Sequence, residues 1–135
     1  MSVELEIVSP EKLLLSRPVE LVVIPAYEGE LGVLPKHSPM IVLLRGGTIR
    51  IYEGSTVTEQ LFVAGGFAEI TPERCTVLAN EAIPLAEVSR AEGERRLAAA
   101  EAEYNAADKM DVPVLDDLMD RMQSARAMIE AAQAA

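Results

Sequence analysis

The chain is poor in the residues from which most active sites are built. Its 135 residues include one cysteine (Cys75), one histidine (His37) and no tryptophan. A single cysteine excludes a disulfide framework and any cysteine-based metal site. A lone histidine leaves no His pair for a metal and no partner set for a His-based triad, and neither a nucleophile elbow nor a metalloprotease helix motif is present. Positive charge is scarce as well: 12 Lys and Arg stand against 22 Asp and Glu, for a net charge of −10 and a pI near 4.5. Phosphate recognition needs clustered cations, so nucleic acid is excluded as a partner, and so is direct insertion into anionic lipid. An acidic chain suits basic protein surfaces. No apolar run approaches the length of a membrane span. The opening Met1-Ser2-Val3-Glu4 has no basic segment and no apolar core, which predicts neither a secretory signal nor a transit peptide. If the protein works at a membrane, another subunit holds it there.

What the chain does have is short apolar runs separated by turn formers. Half of its residues are hydrophobic, enough for a modest folded core. Val3, Leu5 and Ile7 alternate with Glu4 and Glu6, the pattern of a strand with one wet face, and Ser9-Pro10 ends it. Similar runs follow at Lys12–Leu15, Val19–Ile24, Met40–Leu44, Thr48–Tyr52, Val57–Val63, Phe67–Ile70 and Cys75–Ala79, each closed by Gly, Pro, Asn or Ser. This spacing predicts an antiparallel sandwich or barrel. Near Pro84 the composition changes to Ala, Glu, Arg and Met, which predicts two helices, one over about Glu87–Asn105 and one starting at Pro113. The second has an apolar seam at Leu115, Leu118, Met122, Ala125, Ile129 and Ala132. The short connection predicts an antiparallel hairpin. The fold class is thus mainly β plus α, divided into a β-sandwich over 1–84 and a helical hairpin over 85–135.

The segment Ile24–Pro39 threads apolar residues between Pro25, Gly29, Gly32, Pro35 and Pro39. That combination suits a short strand held between tight turns. Glu28 and Glu30 flank Gly29 at a turn that calls for positive φ, and Tyr27 beside them is an aromatic side chain placed for contact. His37 reads as a turn or interface histidine. Cys75 reads as a buried, inert thiol. Gly65-Gly66 could cradle a phosphate, but no helix follows, and a tight turn or bulge accounts for it better. Gly29–Ser38 has the glycines, lysine and serine of a P-loop without the required Gly-Lys-Ser/Thr succession. Arg95-Arg96 reads as a solvated helix face. The residues point to a protein that works by contact, with a free-standing small-ligand or nucleotide sensor as the competing class.

Ser9-Pro10-Glu11, the run Glu28-Gly29-Glu30-Leu31-Gly32-Val33-Leu34-Pro35 with His37 and Pro39, and Phe62-Val63-Ala64-Gly65-Gly66-Phe67-Ala68-Glu69 with Thr76-Val77-Leu78 occur in order. On these motifs the chain resembles the epsilon-subunit family of F-type ATP synthases. The resemblance implies a flattened antiparallel β-sandwich followed by a two-helix hairpin. It implies a non-catalytic central-stalk subunit, peripheral on the cytoplasmic side of a bacterial inner membrane, that couples c-ring rotation to ATP synthesis through gamma. It places Tyr27, Glu28, Gly29 and Glu30 against the c-ring, and Ser9, His37 and Val42 near gamma or the ring. The alpha and beta subunits of the catalytic head are further implied partners.

In some members of that family the hairpin extends and blocks ATP hydrolysis through basic residues of its second helix. Here Arg121 and Arg126 stand against Asp116, Asp117, Asp120 and Glu130, so weak regulation is expected. Other members bind ATP through an Ile/Leu-Asp-x-x-Arg-Ala motif. The matching positions are Ala86, Glu87, Arg90 and Ala91, with Arg126 as a further phosphate contact. Glu for Asp and Ala for the apolar residue imply weak ATP binding or none, and no other cofactor is expected.

Overall fold

A computed structural model describes residues 2–134. Ten strands precede a short 3-10 turn and two helices. They are β1 (Val3–Val8), β2 (Leu13–Val19), β3 (Leu21–Ala26), β4 (Gly29–Val33), β5 (Met40–Leu44), β6 (Gly47–Glu53), β7 (Thr56–Val63), β8 (Gly66–Ile70), β9 (Arg74–Ala79) and β10 (Ala82–Pro84). Leu85–Glu87 form the 3-10 turn, and the helices are α1 (Arg90–Ala106) and α2 (Val112–Ala134).

The strands form one curled sheet in the order β10-β7-β6-β3-β5-β8-β9-β1-β2, with β4 on β3. The curl falls at β3, whose first residues Leu21–Val23 pair with β6 and whose last residue, Ala26, pairs with Leu44 of β5. Backbone hydrogen bonds from Tyr27 N–H to the Leu43 carbonyl and from Arg45 N–H to the Pro25 carbonyl, both 3.0 Å, hold this corner. The two halves fold over one another as a β-sandwich. Between them lie Val3, Leu5, Ile7, Val22, Ile24, Val33, Ile49, Ile51, Val63, Ile70, Cys75 and Val77, all buried. Alternation explains β1, where Val3, Leu5 and Ile7 point in and Glu4 points out. One pairing departs from the antiparallel expectation: β1 lies parallel to β9, Leu5 beside Cys75 and Ile7 beside Val77. The first strand enters the sheet beside a late one, and no tight turn joins them, so antiparallel direction is not imposed.

Leu61, Phe62 and Val63 of β7 are all buried, although neighbours on a strand face opposite ways. Leu61 and Val63 face the sandwich core, whereas Phe62 packs with Leu85, Met128 and Ala131 under the hairpin. The hairpin is antiparallel: Gly93 meets Ile129 at one end and Arg121 bonds Glu103 at 2.8 Å towards the other. Ser89 starts α1 by accepting from Glu92 N–H at 3.2 Å, later than the expected Glu87 because Leu85–Glu87 close the 3-10 turn first. Pro113 sits in the first turn of α2 as expected. The seam of α2 departs from expectation beyond Ala125: Met128 and Ala131 are buried and Ile129 and Ala132 only partly so. The helix serves two neighbours, with Ile129 against α1 and Met128 and Ala131 against the sandwich.

Candidate functional site: an apolar sheet face and a braced turn

The outer face of the β5-β8-β9-β1-β2 half carries the clearest surface signal. Register places Leu43 beside Phe67, Phe67 beside Leu78, Leu78 beside Val8 and Val8 beside Leu13. An apolar row therefore crosses five strands, and Ile41 extends it along β5. Leu43 is 64% exposed, Ile41 68% and Leu13 55%. Single exposed leucines are ordinary, but a contiguous apolar row across a sheet face marks a contact face. No sequence motif announced this row. Its signal lay in apolar residues at outward positions of strands that otherwise alternate.

The second element is the β3–β4 hairpin, whose loop is Tyr27-Glu28 between the paired residues Ala26 and Gly29. Gly29 has φ +136°, the positive φ expected there. Glu30 reaches Arg50 of β6 at 3.0 Å, which ties the turn to the sheet. Downstream, Lys36 N–H donates to the Pro72 carbonyl at 2.7 Å and His37 N–H to that of Leu34 at 3.3 Å. Turn and return loop are thus pinned at several points. Tyr27 is half-exposed, and its hydroxyl donates to the Asp120 carboxylate of α2. That bond, with burial and the negative charge of Asp120 and Asp116, raises the Tyr27 pKa above its ordinary 10. One turn along α2, Gln123 makes a two-way contact with Gly46: its Oε1 accepts from the Gly46 N–H at 2.9 Å and its Nε2 donates to the Gly46 carbonyl at 2.7 Å.

The remaining sequence-derived positions scatter around these elements. Ser9 closes the β1–β2 turn, its N–H donating to the Lys12 carbonyl at 3.0 Å. His37 Nδ1 lies 2.7 Å from the Ser38 carbonyl oxygen and is partly exposed. Val42 packs against the core, and its neighbours Ile41 and Leu43 face outward in its place. Glu87, Arg90 and Ala91 stand at the approach to α1, where Arg90 pairs with Glu94 at 2.8 Å. Arg126 is on the opposite helix, in a groove with Arg45, Arg50, Glu30 and Glu130.

A cleft of about 600 Å³ separates sandwich from hairpin, and Tyr27, Gly65, Gly66, Asn80, Arg95, Arg96 and Arg121 line it. None of Glu87, Arg90, Ala91 or Arg126 lines this cleft. Three of its guanidiniums are already engaged: Arg95 with Glu92 at 2.6 Å, Arg96 with Glu81 at 2.5 Å and Glu92 at 2.8 Å, and Arg121 with Glu103 at 2.8 Å, while Arg45 also lines the cleft. Among the described residues no helix is long and apolar enough to cross a membrane.

A β-sandwich with a broad apolar sheet face, a braced acidic turn and an appended helical hairpin defines a contact module. Residues 2–85 match the family model described as ATP synthase, delta/epsilon chain, beta-sandwich domain. The chain belongs to this ATP synthase delta/epsilon family. It is 67% identical over 129 residues to the ATP synthase epsilon chain of Granulibacter bethesdensis, covering 96% of each. To that of Gluconacetobacter diazotrophicus it is 52% identical over 132 residues, covering 98% of this chain and 94% of the relative. A cryo-EM structure of the Euglena gracilis mitochondrial ATP synthase (OSCP/F1/c-ring) contains a chain similar to it with TM-score 0.76 and 26% identity, covering 98% of this chain and 81% of that one. A chain of the Tetrahymena thermophila ATP synthase central stalk and c-ring shares the fold, with TM-score 0.71 at 17% identity and coverage of 98% and 97%.

Proposed function

We propose that this protein is a non-catalytic central-stalk subunit of a bacterial proton-translocating ATP synthase, seated on gamma and on the c-ring. The observation that carries the reading is the apolar row Leu43–Phe67–Leu78–Val8–Leu13, which needs a protein partner to cover it. A stiff, hydrogen-bonded sheet face suits gamma, because torque passes through it without slack. The Tyr27–Glu30 turn, pinned to β6 through Arg50, suits the ring, with the head's alpha and beta subunits above. The complex holds the chain at the cytoplasmic side of the inner membrane. The test is add-back of Leu43→Glu/Phe67→Glu to a catalytic head stripped of this subunit. Loss of binding, with the isolated variant still folded, is the expected outcome, since central apolar contacts each contribute roughly 1–4 kcal/mol. Binding equal to wild type overturns the assignment of this face.

The cleft beside Gly65, Asn80 and Arg96 supports weak nucleotide binding as a second reading, and with it the sensor alternative. A phosphate there can meet Arg45, but to reach Arg95, Arg96 or Arg121 it has to displace Glu81, Glu92 or Glu103 from arginines they already neutralise. Millimolar ATP should therefore leave the melting temperature of the isolated chain nearly unchanged. A clear rise would favour the sensor.

A further inference from the structure

Two polar contacts join α2 to the sandwich within one helical turn, and both land on the corner that carries the β3–β4 turn. The Tyr27 hydroxyl donates to Asp120, and Gln123 engages both backbone groups of Gly46. Gly46 belongs to this corner because Arg45 N–H is bonded to the Pro25 carbonyl, two residues before Tyr27. Tyr27 is nonetheless half-exposed, so its side chain is open to a partner while its hydroxyl is bonded to α2. A side chain in that position is able to serve two contacts.

We propose that Tyr27–Asp120 and Gly46–Gln123 form a polar latch that couples the β3–β4 turn to the docking of the hairpin. A protein that takes the Tyr27 hydroxyl, or shifts its ring, removes half of the latch and loosens α2. By reciprocity, docked α2 holds the turn in one conformation and sets how readily that partner engages it. The hairpin is suited to such a response because two helices alone bury little surface. Its hold on the sandwich rests on this latch, on Arg96–Glu81 at 2.5 Å, and on Met128 and Ala131 against Phe62 and Leu85. The stalk reading enters only through the identity of the partner; the latch is a property of the chain by itself.

Amide hydrogen exchange on the isolated full chain tests it in both directions. Tyr27→Phe removes one hydroxyl and Asp120→Ala its acceptor. Tyr27→Phe, made in the turn, should speed exchange across residues 118–134 of α2 roughly three- to tenfold, the factor expected for one hydrogen bond, and Asp120→Ala, made on the helix, should speed exchange in the turn at residues 28–33 by the same factor. Gln123→Ala, made on the helix, should speed exchange in the turn at residues 28–33 by a similar factor. Effects confined to the element that carries each substitution overturn the coupling, whatever the chain binds. Strands β1 and β9 serve as the folding control and should keep wild-type protection in all three variants.

Discussion

Replacing Gly46 with alanine should release the hairpin and leave the sandwich intact. A methyl group at Gly46 would stand 2.5 Å from Cα of Ser124, 2.7 Å from its Oγ and 2.9 Å from its Cβ. The nearest atom is helix backbone, so no rotamer change relieves the clash and α2 has to withdraw. Gly46 is not among the positive-φ glycines, so alanine brings no backbone strain of its own. The full effect falls on docking. Overpacking of this kind costs roughly 1–3 kcal/mol. Withdrawal also breaks the two hydrogen bonds to Gln123, which contribute about 0.5–1.5 kcal/mol each. Docking should therefore weaken by roughly 2–6 kcal/mol, or about 30- to 25,000-fold. Trypsin reads this directly, because Arg95, Arg96, Arg121 and Arg126 lie in the hairpin. Cleavage there should accelerate while β1 and β9 stay protected. Adding Ser124→Gly should not restore the wild-type rate, since it removes Oγ and Cβ but keeps Cα. Hairpin cleavage within twofold of wild type would refute the reasoning.

Gly66 poses the same geometry inside the sheet. It has φ +115°, and a Cβ there would stand 2.1 Å from the Leu78 carbonyl oxygen, so Gly66→Ala should lower stability by roughly 3 kcal/mol or more in chemical denaturation. Cys75 is fully buried and its thiol is pushed up to about 12 by burial alone, so a thiol reagent at pH 8 should react only at the rate of unfolding. Glu92 is held at about 2, against an ordinary 4.5, by hydrogen bonds from Arg95 and Arg96. A lowered pKa contributes stability in full above about pH 4.5 and loses it as the pH falls towards 2, so Glu92→Gln should flatten helix loss across that acid window. Glu30→Lys places a cation against Arg50 at the turn and should leave the fold intact while reducing ring-coupled proton pumping in the reconstituted enzyme; unchanged pumping removes Glu30 from the ring contact.

Strands were legible wherever one face is wet. Val3-Glu4-Leu5-Glu6-Ile7 needs only its alternation to be read, and the same holds for Thr48–Tyr52. The Gly29 turn was legible because few residues accept its φ. Strand β10 was not, because three residues carry no period. The direction of Val42 depended on whether Met40 or Ile41 faces inward, which the run Met-Ile-Val-Leu-Leu leaves open. Met128 and Ala131 were missed because a helix with two neighbours has two apolar edges, and a single seam describes only one of them. Tyr27 and Asp120 are 93 positions apart, and no local pattern joins a turn tyrosine to one of several helix aspartates. The apolar row across five strands appears only once register is known.

The parallel seating of β1 on β9 also governs the order in which the chain can assemble. Residues 4–8 find their partners at 74–78, near the far end of the sandwich. As the chain leaves the ribosome, its first strand can form the β1–β2 hairpin early but has no second neighbour until β9 emerges. Closing a loop of that length lowers entropy more than closing any of the local hairpins, and folds dominated by distant pairings form slowly. The sandwich should thus complete in a single late step, with Leu5 and Ile7 exposed to solvent or chaperone until then. The hairpin, built from neighbouring turns, can form within microseconds of its synthesis and wait for the surface on which it docks.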